Sequence, residues 1–293
     1  MFAILLGIAI RNTTGVPAAM QPGIRFAMRR VLRLAIVLLG FQISMSQILQ
    51  VGGPGFSIIV ACLACTFLFT LWLGRRLGVD PKLAELLAAG TSICGASAVV
   101  ATNTVTEGSD EDVAYAIAAI TVLGTASVVI YPIAAALMGM PANAYGLWAG
   151  ASIHEIAQVV AASFQGGSVS AQVGAISKLS RVMLLAPVVF TLGYLAARRR
   201  CAGEDQAKVP APWFLVGFLA MIGVNSLQLL PAAWTARLLL ANQFLLAAAL
   251  GAMGLETSVR KLRSAGLRPF LVAGGATCFI AGLSLVLIRA FYW

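Results

Sequence analysis

Residues Gly150–Ala162 read GASIHEIAQVVAA, and residues Gly90–Thr102 read GTSICGASAVVAT. Both stretches set glycine and polar side chains inside a long apolar segment. The first holds His154, the only histidine of the chain, followed by Glu155 and then Gln158. Composition decides what such a stretch means. Of 293 residues, 60% are hydrophobic and 10% charged, and the mean hydropathy is +0.93. A soluble domain carries about 25% charged residues. The chain therefore reads as an all-α polytopic membrane protein.

The net charge of +10 fits that class. Lysines and arginines cluster between apolar segments, as anionic lipid and the positive-inside rule require, without the interleaved aromatic and basic residues of a nucleic-acid surface. The five cysteines have no disulfide or zinc spacing. Cys62 and Cys65 form a C-x-x-C inside an apolar helix, where two small packing residues are the simpler reading. No cleavable signal peptide is visible after Met1.

Apolar segments occur at about 2–10, 31–49, 56–74, 83–105, 113–138, 144–163, 171–197, 212–230, 234–255 and 267–290. A helical crossing takes about 20 residues, so nine of the ten qualify and the first is short. Its shortness raises the expectation of further apolar sequence upstream. Basic groups (Arg11 to Arg30; Arg75, Arg76 and Lys82; Arg198 to Lys208; Arg260 to Arg268) alternate with the lysine- and arginine-free loops QVGGPG, EGSDED, FQGGSVS and LLPAAW. This predicts a bacterial inner-membrane protein with basic loops cytoplasmic, both termini outside and EGSDED external. MGMPANA is then the one inside loop without a basic residue.

Two internal symmetries compete. The two opening stretches match at an offset of 60, and as crossing helices they would run in the same direction. Offset by five segments, helix 83–105 pairs with 234–255 in opposite directions. Inverted repeats are the usual build of secondary transporters, with the site where broken helices meet at the midplane. The favoured reading is one transmembrane domain over 1–293 with two inverted five-helix repeats, about 1–140 and 141–293.

The chemistry follows from depth. In TSICGAS, Ser92, Cys94, Gly95, Ala96 and Ser97 suit an unwound helix whose N–H groups face an anion; a small-residue packing face is the alternative. His154 and Glu155 lie near mid-bilayer at ~1.5 Å per residue, where ionisable groups face the interior. Ser152, Glu155 and Gln158 recur every third residue. Lys178 and Arg181, in AISKLSRVMLLAPVV, reach similar depth from the opposite side. They can bind an anion or act as counter-ions to Glu155. His154, Glu155 and Gln158 are the candidate coupling group, or a buried cluster that fixes packing. GAMGLETSV (Gly251–Val259) is either a second broken helix or a helix terminus. A zinc protease motif H-E-x-x-H fails because position 158 is glutamine, so neither a metal site nor an enzyme is expected, and no cofactor.

The segments GTSICGASAVVA, DEDVAYAIAAITVLGT, GASIHEIAQVVAAS, AISKLSRVMLLAPVV and MGLETSVRKLRSAGLRP together resemble a bacterial family of conserved hypothetical membrane proteins that carries the name sulfate exporter. The resemblance runs over nearly the whole chain. It implies the fold of sodium/proton antiporters and bile-acid symporters, with crossed broken helices in a core domain and a separate panel domain. It also implies a further apolar helix before Phe2, which this chain lacks. The expectation is a secondary transporter of a small anion, sulfate or an organosulfonate, working by alternating access. Ser92, Cys94 to Ser97, Ser152, Lys178 and Arg181 bind the anion, and a proton or sodium is the coupling ion. A cation/proton antiporter using Glu155 and Lys178 is the alternative, and a homodimer stays open.

Overall fold

The computed structural model describes residues 2–42, 45–201, 213–256 and 266–292. Among them the chain is helical throughout, with no strand. In chain order the helices are α1 (Phe2–Thr13), α2 (Gln21–Phe26), α3 (Leu32–Leu39), α4 (Met45–Arg76), α5 (Pro81–Ser92), α6 (Ala96–Thr106) and α7 (Asp110–Leu137). There follow α8 (Ala142–Ser152), α9 (Ile156–Ser163), α10 (Ser168–Met183), α11 (Leu185–Cys201), α12 (Trp213–Ser226), α13 (Ala232–Glu256) and α14 (Arg268–Tyr292). The segments Gly52–Arg76, Asp110–Leu137, Ser168–Ala196 and Arg268–Tyr292 are long and apolar enough to cross a membrane.

The helices sort into two units. The first comprises Met1–Met45, Ser109–Tyr115 and Ala211–Gly266. In it α1 packs on α13, so closely at Gly7 that a Cβ there would stand 2.8 Å from the Leu255 nitrogen. α3 packs on α12. α13 runs unbroken through Gly251 and Gly254 to Glu256, so GAMGLETSV is no broken helix up to that residue; Thr257–Val259 lie outside the described residues.

The second unit comprises Ser46–Gly108, Ala116–Pro210 and Leu267–Trp293. Here the two opening stretches acquire their meaning. The sequence predicts that 83–105 and 144–163 each cross the bilayer. Each instead doubles back. Lys82 Nζ donates to Glu107 O at 2.8 Å, Thr106 Oγ1 donates to Glu85 Oε1 at 2.6 Å, and Gly90 lies against Val99. The paired numbers sum to nearly the same value, as in an antiparallel pair. α5 and α6 are therefore the two arms of a hairpin with its tip at Ile93–Gly95. Likewise Tyr145 Oη donates to Ala162 O at 2.8 Å, and the Tyr145 ring packs beside Gly166. α8 and α9 form a second hairpin with its tip at Ile153–Glu155.

The local causes are legible. Asp80 caps α5 by accepting from Lys82 N and Leu83 N, with Pro81 preset at the first helical position. Gly95, at φ 72° and ψ −132°, adopts a backbone conformation that suits only glycine, and reverses the chain. In the second tip Ile153 and Glu155 are extended, at ψ 147° and 150°. Arms of 12 and 11 residues reach about 18 and 16 Å, half a bilayer each.

The hairpins enter from opposite ends. α7 follows the first hairpin, and its Thr121 lies level with the tips, within 3.5 Å of Glu155 Oε1. Farther along, Gly124 meets the Gln158 side chain and Val128 O meets Gln165 Nε2, so α7 runs alongside α9 toward the base of the second hairpin. α10 returns parallel to α8, with Gly146 against Ser170 and Gly150 against Gly174. These small residues let the backbones approach as in membrane helix pairs. α14 runs antiparallel to α8 and α4: Trp148 Nε1 donates to Ala281 O at 2.9 Å, and Phe69 stacks on Phe279 with ring centres 4.1 Å apart.

Two sequence expectations change with this topology. Crossed broken helices are replaced by opposed hairpins. The loop beginning at Glu107 lies beside Lys82, at the basic end with Arg75, Arg76 and Arg268, not opposite to it. MGMPANA and FQGGSVS then share the other end, which explains why MGMPANA has no basic residue. The offset-60 pair are the hairpins themselves. Separated by one crossing helix, hairpins point oppositely where crossing segments would run the same way.

Candidate functional site

The two tips meet. At both, one helix ends and another begins, so each tip presents orphan carbonyls from the ending helix and orphan amides from the starting one. The protein answers both sets with its own charges.

The carbonyls of α5 and α8 are capped from α10. Arg181, fully buried, donates through Nε to Ser92 O at 2.6 Å and through Nη1 to Ala151 O at 3.0 Å and Ile153 O at 3.2 Å. Its Nη2 reaches Thr91 O. Lys178, also fully buried, donates to Ile93 O at 2.9 Å and Ile153 O at 2.7 Å. Positive charge at the C-terminal ends of two helices complements their dipoles. Lysine and arginine share one face here because they are i, i+3 on α10. Four of the five guanidinium N–H groups and two of the three ammonium N–H groups are thus directed at backbone carbonyls. The anion-binding role expected of this pair is accordingly exercised at most through the remaining donors and through net charge.

The amides of α6 and α9 are met by Glu155. It is the N-cap of α9 in a capping box with Gln158, whose Oε1 accepts from the Glu155 N–H at 3.0 Å. Its side chain also crosses to the other tip. A Cβ on Gly95 would stand 2.7 Å from Glu155 Cγ and 3.3 Å from Oε1, so the carboxylate lies against the start of α6. Thr121 Oγ1 of α7 donates to Oε1 at 3.5 Å, and Gln158 Nε2 donates to Thr121 O at 3.4 Å.

His154 is fully buried, with Nε2 3.2 Å from Thr277 Oγ1. The Thr277 hydroxyl spends its one proton on Ala273 O at 2.8 Å. The histidine is therefore the donor, with a proton on Nε2. Nδ1 is left without a partner. Ser152 Oγ donates to Trp148 O and accepts from Tyr131 Oη at 2.9 Å, while Tyr131 stacks on Trp148. Ser152 thereby supports the second tip from behind. Cys94 is buried in the first tip, Ser97 is half-buried in the first turn of α6, and the Thr91 and Ser92 hydroxyls are buried without partners.

The candidate residues Ser92, Cys94, Gly95, Ala96, Ser152, His154, Glu155, Gln158, Lys178 and Arg181 fall at the tips or against them, and Ser97 lies in the first turn of α6. Thr121 and Thr277 were missed. A threonine in an apolar helix bonds its own i−4 carbonyl, as Thr277 does, so it leaves no sequence mark of a second role. Among the described residues no three of His, Cys, Asp and Glu gather into a metal-holding group.

The chain matches the family described as Conserved hypothetical protein 698 over residues 1–273. It is 38% identical to a UPF0324 membrane protein of Yersinia pestis, across 92% of this chain and 78% of that protein. It is 37% identical to a UPF0324 membrane protein of Listeria monocytogenes, across 99% and 87%, and 37% identical to one of Corynebacterium glutamicum, across 97% and 82%. No solved structure matches it.

Proposed function

Since the chain belongs to the Conserved hypothetical protein 698 family of helical membrane proteins, we propose that the opposed hairpin tips are the binding site of a secondary transporter for a small anion. The observation that carries the reading is the junction itself. Two helix N-termini, of α6 and α9, open at one point about half a bilayer deep, beside two fully buried cations, Lys178 and Arg181. Against them stands one carboxylate. Among the described side chains the site holds one positive charge in excess, and a buried excess of positive charge is stable when an anion completes it. Sulfate and organosulfonates have the size and charge that such amides and hydroxyls accept. In this reading the basic end of the second unit faces the cytoplasm of a bacterium.

Labelled-sulfate uptake into proteoliposomes, with and without an imposed pH gradient, tests it. The parent protein should move sulfate, and Lys178→Met should reduce the flux at least tenfold. Parent-like flux in both Glu155→Gln and Lys178→Met would refute the site.

A second reading, cation/proton antiport, is favoured by one observation: Glu155 places a carboxylate at the junction with the Thr121 hydroxyl beside it. Sodium-driven proton movement that is lost in Glu155→Gln, without sulfate flux in the parent, would select it.

A further inference from the structure

We infer that the Glu155 carboxylate is a tethered stand-in for the transported anion, so that anion binding requires Glu155 to take up one proton and withdraw. The inference rests on the anion-transport reading above. It adds the coupling ion, the residue that carries it and the stoichiometry.

The first argument is what Glu155 touches. An N-cap for α9 alone is best supplied by the short side chains of Ser, Asp, Asn or Thr. The longer glutamate spans from α9 to the start of α6. The first tip leaves it room: Gly95 has no side chain where a Cβ would press within 2.7 Å of Glu155 Cγ. The carboxylate therefore caps α9 and lies against the start of α6, which is the place an exogenous anion would take.

The second argument is charge. With Glu155 ionised, Lys178 and Arg181 leave a net charge of one. A proton on Glu155 raises it to two, which a dianion such as sulfate neutralises. The third is burial. Lys178, Arg181 and His154 are fully buried, whereas Glu155 is only partly so. His154 already commits its Nε2–H to Thr277. The fourth is the unfilled hydrogen-bonding capacity at the same tip. The buried Thr91 and Ser92 hydroxyls have no partner. They lie on the two residues whose carbonyls hold Arg181, and they can donate to oxyanion oxygens.

Among the described residues, the groups around Glu155 are Cys94 on the first tip, His154 and Gln158 on its own hairpin, the Thr121 hydroxyl on α7, and Lys178 and Arg181 on α10. Of these, Glu155 is the carboxylate. On anion entry, a proton from water forms an O–H bond on Glu155 Oε. The neutral acid leaves the amides, the anion takes them, and the same proton returns to water as the anion departs. Each anion is thus accompanied by one proton.

The test is sulfate binding to the purified full chain in weakly buffered detergent solution, read by calorimetry and a pH dye. The parent should take up one proton per sulfate bound, and its dissociation constant should rise up to tenfold per pH unit on the alkaline side. Glu155→Gln should bind sulfate at least tenfold more tightly at neutral pH, with no proton uptake and a flat pH profile. Proton uptake in the parent needs no variant, so it decides even if Glu155→Gln does not fold. Sulfate bound without proton uptake by the parent overturns the inference and leaves anion transport standing. No sulfate bound by either protein overturns both.

Discussion

Replacing Arg181 with methionine should unhinge both hairpin tips at once. The guanidinium is fully buried and serves the carbonyls of Thr91, Ser92, Ala151 and Ile153, which come from two different hairpins. Methionine fills much of the volume and donates nothing. A buried acceptor left without a donor costs about 1–3 kcal/mol; Ile153 O keeps Lys178, so the three carbonyls of Thr91, Ser92 and Ala151 bracket a loss of about 3–9 kcal/mol. The low end is expected, because removing Arg181 also relieves its repulsion of Lys178, three residues away on the same face. A loss of about 3 kcal/mol lowers the melting temperature of a 150–250-residue unit by roughly 6–12 °C. Arg181→Lys keeps the charge but loses the planar fork, and should fall between the two. The assay is thermal unfolding in detergent, together with maleimide labelling of Cys94 in a background lacking the other cysteines. Cys94 is buried in the first tip and should resist labelling in the parent and react in Arg181→Met. A variant that melts within 2 °C of the parent and keeps Cys94 protected would refute the assignment of Arg181 as the common pin.

Gly95→Ala should destabilise by about 1–3 kcal/mol, read in the same melt, since alanine is strained at φ 72°, ψ −132° and its Cβ collides with Glu155. Thr277→Val removes the acceptor of His154 Nε2 and should cost about 1–3 kcal/mol, whereas Thr277→Ser should be near neutral. Gly150→Leu forces α8 from α10, where a Cβ would already stand 2.6 Å from Gly174 O and Ser177 Cβ, and should abolish accumulation of folded protein on size exclusion.

The positions of the helices were legible in the sequence, and the path of two of them was not. A run of apolar residues over 83–105 looks the same whether it crosses or doubles back, because both arms and the tip of the hairpin are buried. The evidence for reversal was present in a weaker form. GTSICGAS and GASIHEIA repeat at an offset of 60, and the loop MGMPANA lacked the basic residues that a crossing segment 83–105 would require of it. At the site, depth alone brought His154, Glu155, Lys178 and Arg181 together correctly. Their partners are backbone carbonyls and amides, which have no letter in a sequence. That is why the two cations looked free to meet a ligand, and why the reach of Glu155 to Gly95 across the tips went unseen.

The account stands on the two hairpins entering from opposite ends, and side-specific labelling tests that most directly. Single cysteines at Arg76, Glu107, Asn143 and Gln165, all exposed positions, are introduced into a cysteine-free background. A membrane-impermeant maleimide is then applied to intact cells and to inverted vesicles. The hairpin topology predicts that Arg76→Cys and Glu107→Cys label together from one side, and Asn143→Cys and Gln165→Cys together from the other. Labelling of Arg76→Cys and Glu107→Cys from opposite sides would mean that 83–105 crosses the membrane, and would contradict the account.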